Sequence, residues 1–204
     1  MAGKLAVFLL IFSVVSIIGI GMAAAAPSVS IDPEFTTGLS PGDTFSVNVS
    51  VDPDTYGVKA CKIDLTYNSS ALTATGVTQG DLLGSPTIGE PTNDYSTPGK
   101  IHWGISRTGA NPTPVPTSPG TFITIAFSVN AGASSDTYTL DLSNVTLNNE
   151  TSAEILGAEV NDGYATVVVL TPTPAPTPPG FEAVSNIVGL LAVAYLVLRK
   201  KGKA

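Results

Sequence analysis

Apolar and polar residues alternate through most of the middle of the chain. Phe45, Val47, Val49 and Val51 are interleaved with Thr44, Ser46, Asn48 and Ser50. Cys61, Ile63, Leu65 and Tyr67 are interleaved with Ala60, Lys62, Asp64 and Thr66. Ile123, Ile125, Phe127 and Val129 alternate with Phe122, Thr124, Ala126 and Ser128, and Tyr138, Leu140 and Leu142 with Thr137, Thr139 and Asp141. A period of two places each set on its own side of an extended backbone, so every segment predicts a half-buried strand. Helical spacing is absent from this region. Clusters such as Ser40-Pro41-Gly42-Asp43 and Asn161-Asp162-Gly163 supply turns between the strands. Many short strands divided by turns predict an all-β sandwich or jelly roll. Tyr164 to Leu170 is apolar in both registers and predicts a central strand. Gly109 to Gly120 carries Pro112, Pro114, Pro116 and Pro119, so it predicts an unpaired, stiffened excursion used for recognition or for spacing.

The two ends break this pattern. Lys4 precedes an apolar run from Leu5 to Ile20, followed by Gly21, Met22 and Ala23 to Ala26. A charged start, an apolar stretch and small residues predict a secretory signal peptide over residues 1–25. The ring of Pro27 disfavours a scissile bond beside it, which places cleavage at Ala24 or Ala25. The alternative is a retained N-terminal anchor. Ala183 to Leu198 is apolar except for Ser185, Asn186 and Tyr195, and counting from Phe181 brings it to the ~17–25 residues that span a bilayer. Arg199, Lys200, Lys201 and Lys203 follow, and basic residues stay on the cytoplasmic side. The chain between the two ends is therefore expected outside the cell. Residues 27–170 form the domain, and residues 171–180, TPTPAPTPPG, form a Thr/Pro linker that stays extended and spaces the domain from its anchor. Residues 181–204 form the tail.

Pro179-Gly180-Phe181, an apolar span and a basic cluster, in that order, resemble the archaeal PGF-CTERM sorting signal. The resemblance implies an archaeal source, cleavage by an archaeosortase and transfer of the new C-terminus to a lipid. A signal of this kind leaves no transmembrane helix in the mature protein. The alternative is an ordinary single-pass helix, and either anchor holds the domain on the extracellular face of the cell membrane.

Charge and composition narrow the chemistry. Between residues 27 and 170 the only cations are Lys59, Lys62, Lys100 and Arg107, set against fifteen Asp and Glu, a formal balance of −11. Such a surface repels nucleic acid. Cys61 is the sole cysteine, so no intrachain disulfide forms, and its strand pattern predicts burial. Sequons begin at Asn48, Asn68, Asn144 and Asn149, predicting N-glycosylation, with Asn48 on an outward row and Asn68 at a strand end. His102 is the only histidine, which leaves no histidine pair for a metal. Neither a Gly-x-Ser-x-Gly elbow nor a His-Glu-x-x-His helix occurs. The acids sit in turns and at exposed alternate positions, so no carboxylate pair for glycoside hydrolysis stands out. Asp52-Pro53-Asp54 reads as a turn or as a weak calcium site. No catalytic residue, bound metal or cofactor is expected.

Five segments in order resemble a cohesin domain, the module that docks dockerins. They are Leu39 to Val49; Lys62 to Asn68 with Ala71-Leu72-Thr73; Val77 to Leu83; Gly120 to Val129; and Asn161 to Val167. Each is a turn and a strand, and their order and spacing carry the resemblance over nearly all of the domain. It implies a nine-stranded jelly-roll sandwich that binds protein, in a superfamily that also holds carbohydrate-binding modules. Two departures stand out. Asn68 occupies a position usually held by Asp, and Ala60 and Lys62 occupy places where the family presents Asn and Asp to a dockerin. Within Lys100 to Arg107, Ile101, Trp103 and Ile105 are read as core, with His102, Ser106 and Arg107 outside; an exposed Trp103 would instead favour sugar stacking. The partner-facing candidates are Lys62, Asp64, His102, Trp103 and Arg107. The expected function is a monomeric, non-catalytic surface module that recruits a dockerin-bearing protein, with any calcium ion held by the dockerin. The alternatives are a module that binds polysaccharide and a structural envelope glycoprotein.

Overall fold

Each alternating segment folds as a strand because it has one apolar row to bury and one polar row to leave in water. The computed structural model describes residues 26–108 and 115–170. The predicted signal peptide, the linker, the tail with Pro179, Gly180 and Phe181, and part of the proline-rich excursion lie outside the described residues. No helix among the described residues is long and apolar enough to cross a membrane. The chain divides into two units, Met1–Val168 and Val169–Ala204, and the fold below is that of the first.

The strands are β1 (Ser28–Asp32), β2 (Phe35–Leu39), β3 (Thr44–Asp52), β4 (Ala60–Thr66), β5 (Leu72–Gln79), β6 (Thr87–Gly89), β7 (Lys100–Arg107), β8 (Gly120–Val129), β9 (Asp136–Asn148), β10 (Glu159–Asn161) and β11 (Gly163–Val167). β6 and β10 are three residues each; the other nine have five or more. The strands form two sheets, ordered β10-β1-β3-β8-β5 and β2-β11-β9-β4-β7-β6. Neighbours run antiparallel except β1 with β10 and β2 with β11. β1 and β2 are consecutive yet belong to different sheets, so the chain crosses between layers at Pro33 and Glu34.

The two inner faces supply one core. Val47, Val49 and Val51 of β3 meet the layer contributed by Cys61, Ile63 and Leu65 of β4, Ile101 and Ile105 of β7, and Leu140 and Leu147 of β9. Phe127 is fully buried, stacked on Phe45 and edge-on to Tyr67. Cys61 is buried, and burial pushes its thiol pKa well up, so it packs as a small apolar side chain.

Two features depart from strict alternation. Phe122 lies on the polar row of β8 but is 1% exposed. There Gly80 and Leu82 donate backbone hydrogen bonds to the carbonyls of Phe122 and Thr121, and Leu82 and Leu83 bury themselves. The segment expected to be apolar on both faces is also shorter than its pattern suggested. β11 is paired on both sides, but Tyr164 points away from the core row and Val168, Val169 and Leu170 are exposed after the strand ends.

Candidate docking face

β4 carries Ala60, Lys62, Asp64 and Thr66 on its outward row, and the register with β7 and β9 extends each into a row across the sheet. One row runs Ile88, Ser106, Ala60, Asn148. The next holds Gly104, Lys62 and Thr146. The third holds His102, Asp64 and Ser143, and the fourth Lys100, Thr66 and Asp141. Thr66 donates to Asp141 at 3.0 Å, closing the last row.

A bulge interrupts the third row. Lys62 pairs with Thr146 but Asp64 pairs with Ser143, so Asn144 and Val145 oppose Ile63 alone. Val145 packs toward the core, whereas Asn144 is exposed, with φ at 47°. Asn tolerates this left-handed backbone better than most residues. The bulge aims Asn144 Nδ2 at Asp64 Oδ2, 2.8 Å away.

The other carboxylate oxygen of Asp64 is bonded to Nδ1 of His102, which lies opposite it on β7. His102 Nε2 in turn lies 3.6 Å from Glu90 Oε2. Glu90 reaches that position because it crosses β7 at Gly104: a Cβ there would sit 2.5 Å from Glu90 Cδ. Glu90 N donates to the Gly104 carbonyl at 2.9 Å, and the Asn93 amide bonds both the N–H and the carbonyl of Gly104. Asp94 and His102 then exchange backbone hydrogen bonds. Asn144, Asp64, His102 and Glu90 thus form one polar line across β9, β4, β7 and the segment after β6. Partial burial raises the pKa of Asp64. The Asn144 and His102 hydrogen bonds, with the charges of His102 and Lys100, outweigh it and hold the carboxyl below its ordinary value.

The remaining candidates separate. Trp103 shares the inward row with Ile101 and Ile105; it is half-buried against the core, its ring centroid 6.3 Å from that of Tyr95. Its Nε1 is buried and meets no acceptor among the described residues. Arg107 falls on the same parity as Ile105, at the end of β7, and so does not join His102 and Ser106. Ile88, 61% exposed, was not among the candidates; three residues of β6 are too few to show a periodicity. Asn48 lies on β3 in the other sheet, accepting from Thr124 Oγ1. Asn68 and Asn149 sit in turns past opposite ends of β4, each accepting from the hydroxyl residue of its own sequon. Asp52 accepts from the N–H of Asp54, so that carboxylate closes a turn.

Charge is distributed unevenly. All four cations of residues 27–170 lie on or beside β4 and β7: Lys62 and Lys100 within the outward rows, Lys59 just before β4 and Arg107 at the end of β7. The fifteen acids are spread over both sheets and their turns, and three of them, Asp64, Asp141 and Glu90, lie on this same face.

Residues 29–167 match the model of the cohesin domain family, and residues 179–200 match that of the PGF-CTERM motif. Among solved structures, the seventh ScaB type I cohesin from Pseudobacteroides cellulosolvens is 20% identical, with a TM-score of 0.55 over 75% of this chain and 99% of that one. A cohesin–dockerin complex from Clostridium thermocellum matches at 14% identity and a TM-score of 0.57, over 71% and 100%. A non-cellulosomal cohesin from the archaeon Archaeoglobus fulgidus matches at 16% identity and 0.51, over 71% and 93%. No curated protein matches the chain. With the family model covering the sandwich from β1 to β11 and ending where the sorting motif has yet to begin, the chain belongs to the cohesin family.

Proposed function

We propose that this chain is a non-catalytic docking module that binds a dockerin-bearing protein through the outward face of β9, β4, β7 and β6. The observation that carries the reading is the mixed-charge outward face of β9, β4 and β7, where Lys62 and Lys100 share neighbouring rows with His102, Asp64 and Asp141, while Lys59 and Arg107 lie at its margin. Oppositely charged patches steer encounter and fix register more than they add affinity. Lys62 stands in the middle of the face, with Ile88 and Ala60 offering an apolar contact one row away. The partner it fits presents carboxylates to Lys62 and a small apolar side chain to Ile88. Any calcium ion belongs to the dockerin. The PGF-CTERM motif supports a place on the outer cell surface, lipid-anchored after processing.

The test is retention of a dockerin-bearing protein from the organism's secreted proteins by immobilised domain, residues 27–170. Retention that is lost with a calcium chelator supports docking, because a dockerin's fold depends on its calcium.

One observation favours a second reading. Phe35 is 58% exposed and stacks on Tyr164, with centroids 5.2 Å apart, at the β2 edge of the same sheet. A free aromatic face suits a pyranose ring, so calcium-independent retention of polysaccharide, lost in Phe35→Ala, would support this reading in place of docking.

A further inference from the structure

The structure brings two separate sequence features together: one sequon and the docking face. We propose that Asn144 is a modification gate, in which an N-linked glycan on Asn144 covers Lys62, Asp64 and His102 and closes the face. This inference rests on the docking reading and adds a control to it.

The geometry singles out Asn144 among the four sequons. The turns that hold Asn68 and Asn149 lie past opposite ends of β4, and Asn48 belongs to the other sheet. Those three sequons lie outside the rows of Lys62 and Asp64. Asn144 is bulged outward between the partners of Lys62 and Asp64, and its Nδ2 is bonded to the Asp64 carboxylate. Thr146, the hydroxyl residue of the same sequon, is the register partner of Lys62. The sequon itself is therefore part of the face.

The chemistry leaves the fold intact. Nδ2 attacks the anomeric carbon of a lipid-phosphate-linked oligosaccharide. The carbon–oxygen bond to phosphate breaks, the lipid phosphate leaves with the electron pair, and one Nδ2 proton passes to solvent. An amide nitrogen has two protons, so glycosylation leaves one N–H as a donor for Asp64 Oδ2. The exposed, left-handed bulge gives the sugar an outward path. The modified protein keeps its sandwich and loses only access to the face.

The test uses full-length protein made in its native host, wild type beside Thr146→Val and Asn144→Gln, which remove the sequon, and Thr146→Ser, which keeps it. Glycopeptide mass spectrometry reads occupancy at residue 144. A bulky amine-reactive ester then reads the reactivity of Lys62, with Lys59 as internal reference and thermal melting as the check on folding. The expected result is a glycan at Asn144 in wild type and Thr146→Ser, and labelling of Lys62 several-fold faster in the two variants without the sequon. A bare Asn144, or Lys62 equally reactive in all four proteins, overturns the gate. Dockerin retention is measured separately. If no form retains a dockerin, docking fails while the labelling still decides whether the glycan covers the face.

Discussion

Asp64 and His102 face each other across β4 and β7, and the carboxylate of Asp64 is occupied on both sides, by the His102 ring on Oδ1 and by the Asn144 amide on Oδ2. An ionised carboxylate offers about four acceptor positions, and these two hydrogen bonds take one on each oxygen, so Asp64 holds its neighbours and keeps acceptor capacity for a partner. It acts as a positioning residue that holds His102 and Asn144 in place. On the docking reading, a partner meets Lys62, Asp64, His102 and Ile88 on this face.

This arrangement gives stability a pH dependence. The folded-state pKa of Asp64 is lowered, so its contribution is fully present above the unfolded value of about 3.9 and is lost as pH falls through the lower folded value. Asp64→Asn removes the titrating group. Melting temperature against pH should fall less steeply below pH ~4 in Asp64→Asn than in wild type, with docking weakened at neutral pH.

Lys62 is the cation at the centre of the face, between Gly104 of β7 and Thr146 of β9. Lys62→Glu should abolish dockerin retention, while its effect on folding stays within about 0.5 kcal/mol, as expected for a half-exposed substitution on a sheet face. Binding by wild type should weaken as salt rises, because exposed charges are screened over about 8 Å at physiological ionic strength. Calorimetric titration at two salt concentrations measures both.

No disulfide supports the core, since Cys61 has no cysteine partner in the chain. Phe127→Ala removes a fully buried ring that Phe45 and Tyr67 both contact, and should cost about 3–5 kcal/mol. A stability of 5–15 kcal/mol is typical of a domain, so the variant should be marginal or unfolded in urea denaturation.

Anchoring is expected to depend on the sorting motif. Phe181→Ala combined with Gly180→Ala should leave the C-terminal tail uncleaved. Intact mass of the membrane fraction reads this directly: the variant should keep its whole tail, whereas the wild type should lose a C-terminal segment and gain a lipid.

Much of this was readable in the alternation of β3, β4, β8 and β9, because each buries one row and wets the other. Lys62 and Asp64 fell on the outward row by that rule alone. The polar line was not readable, because it depends on which strands become neighbours. Asp64 and His102 are 38 positions apart, and Asp64 and Asn144 80. The bulge that turns Asn144 outward is one extra residue against Ile63, which no local pattern announces. Ile88 was hidden because its strand is three residues long. Arg107 was misplaced with His102 although five positions separate them, an odd number that puts it on the opposite row.

The central claim is that docking uses the outward face of β9, β4, β7 and β6. The most direct measurement is an amide chemical-shift map of the isotope-labelled domain, residues 27–170, titrated with a calcium-loaded dockerin. The account predicts saturable shifts centred on Lys62, His102, Ile88 and Asn144, absent in Lys62→Glu. Shifts confined to β1, β3 and β8, or none at saturating dockerin, would contradict it.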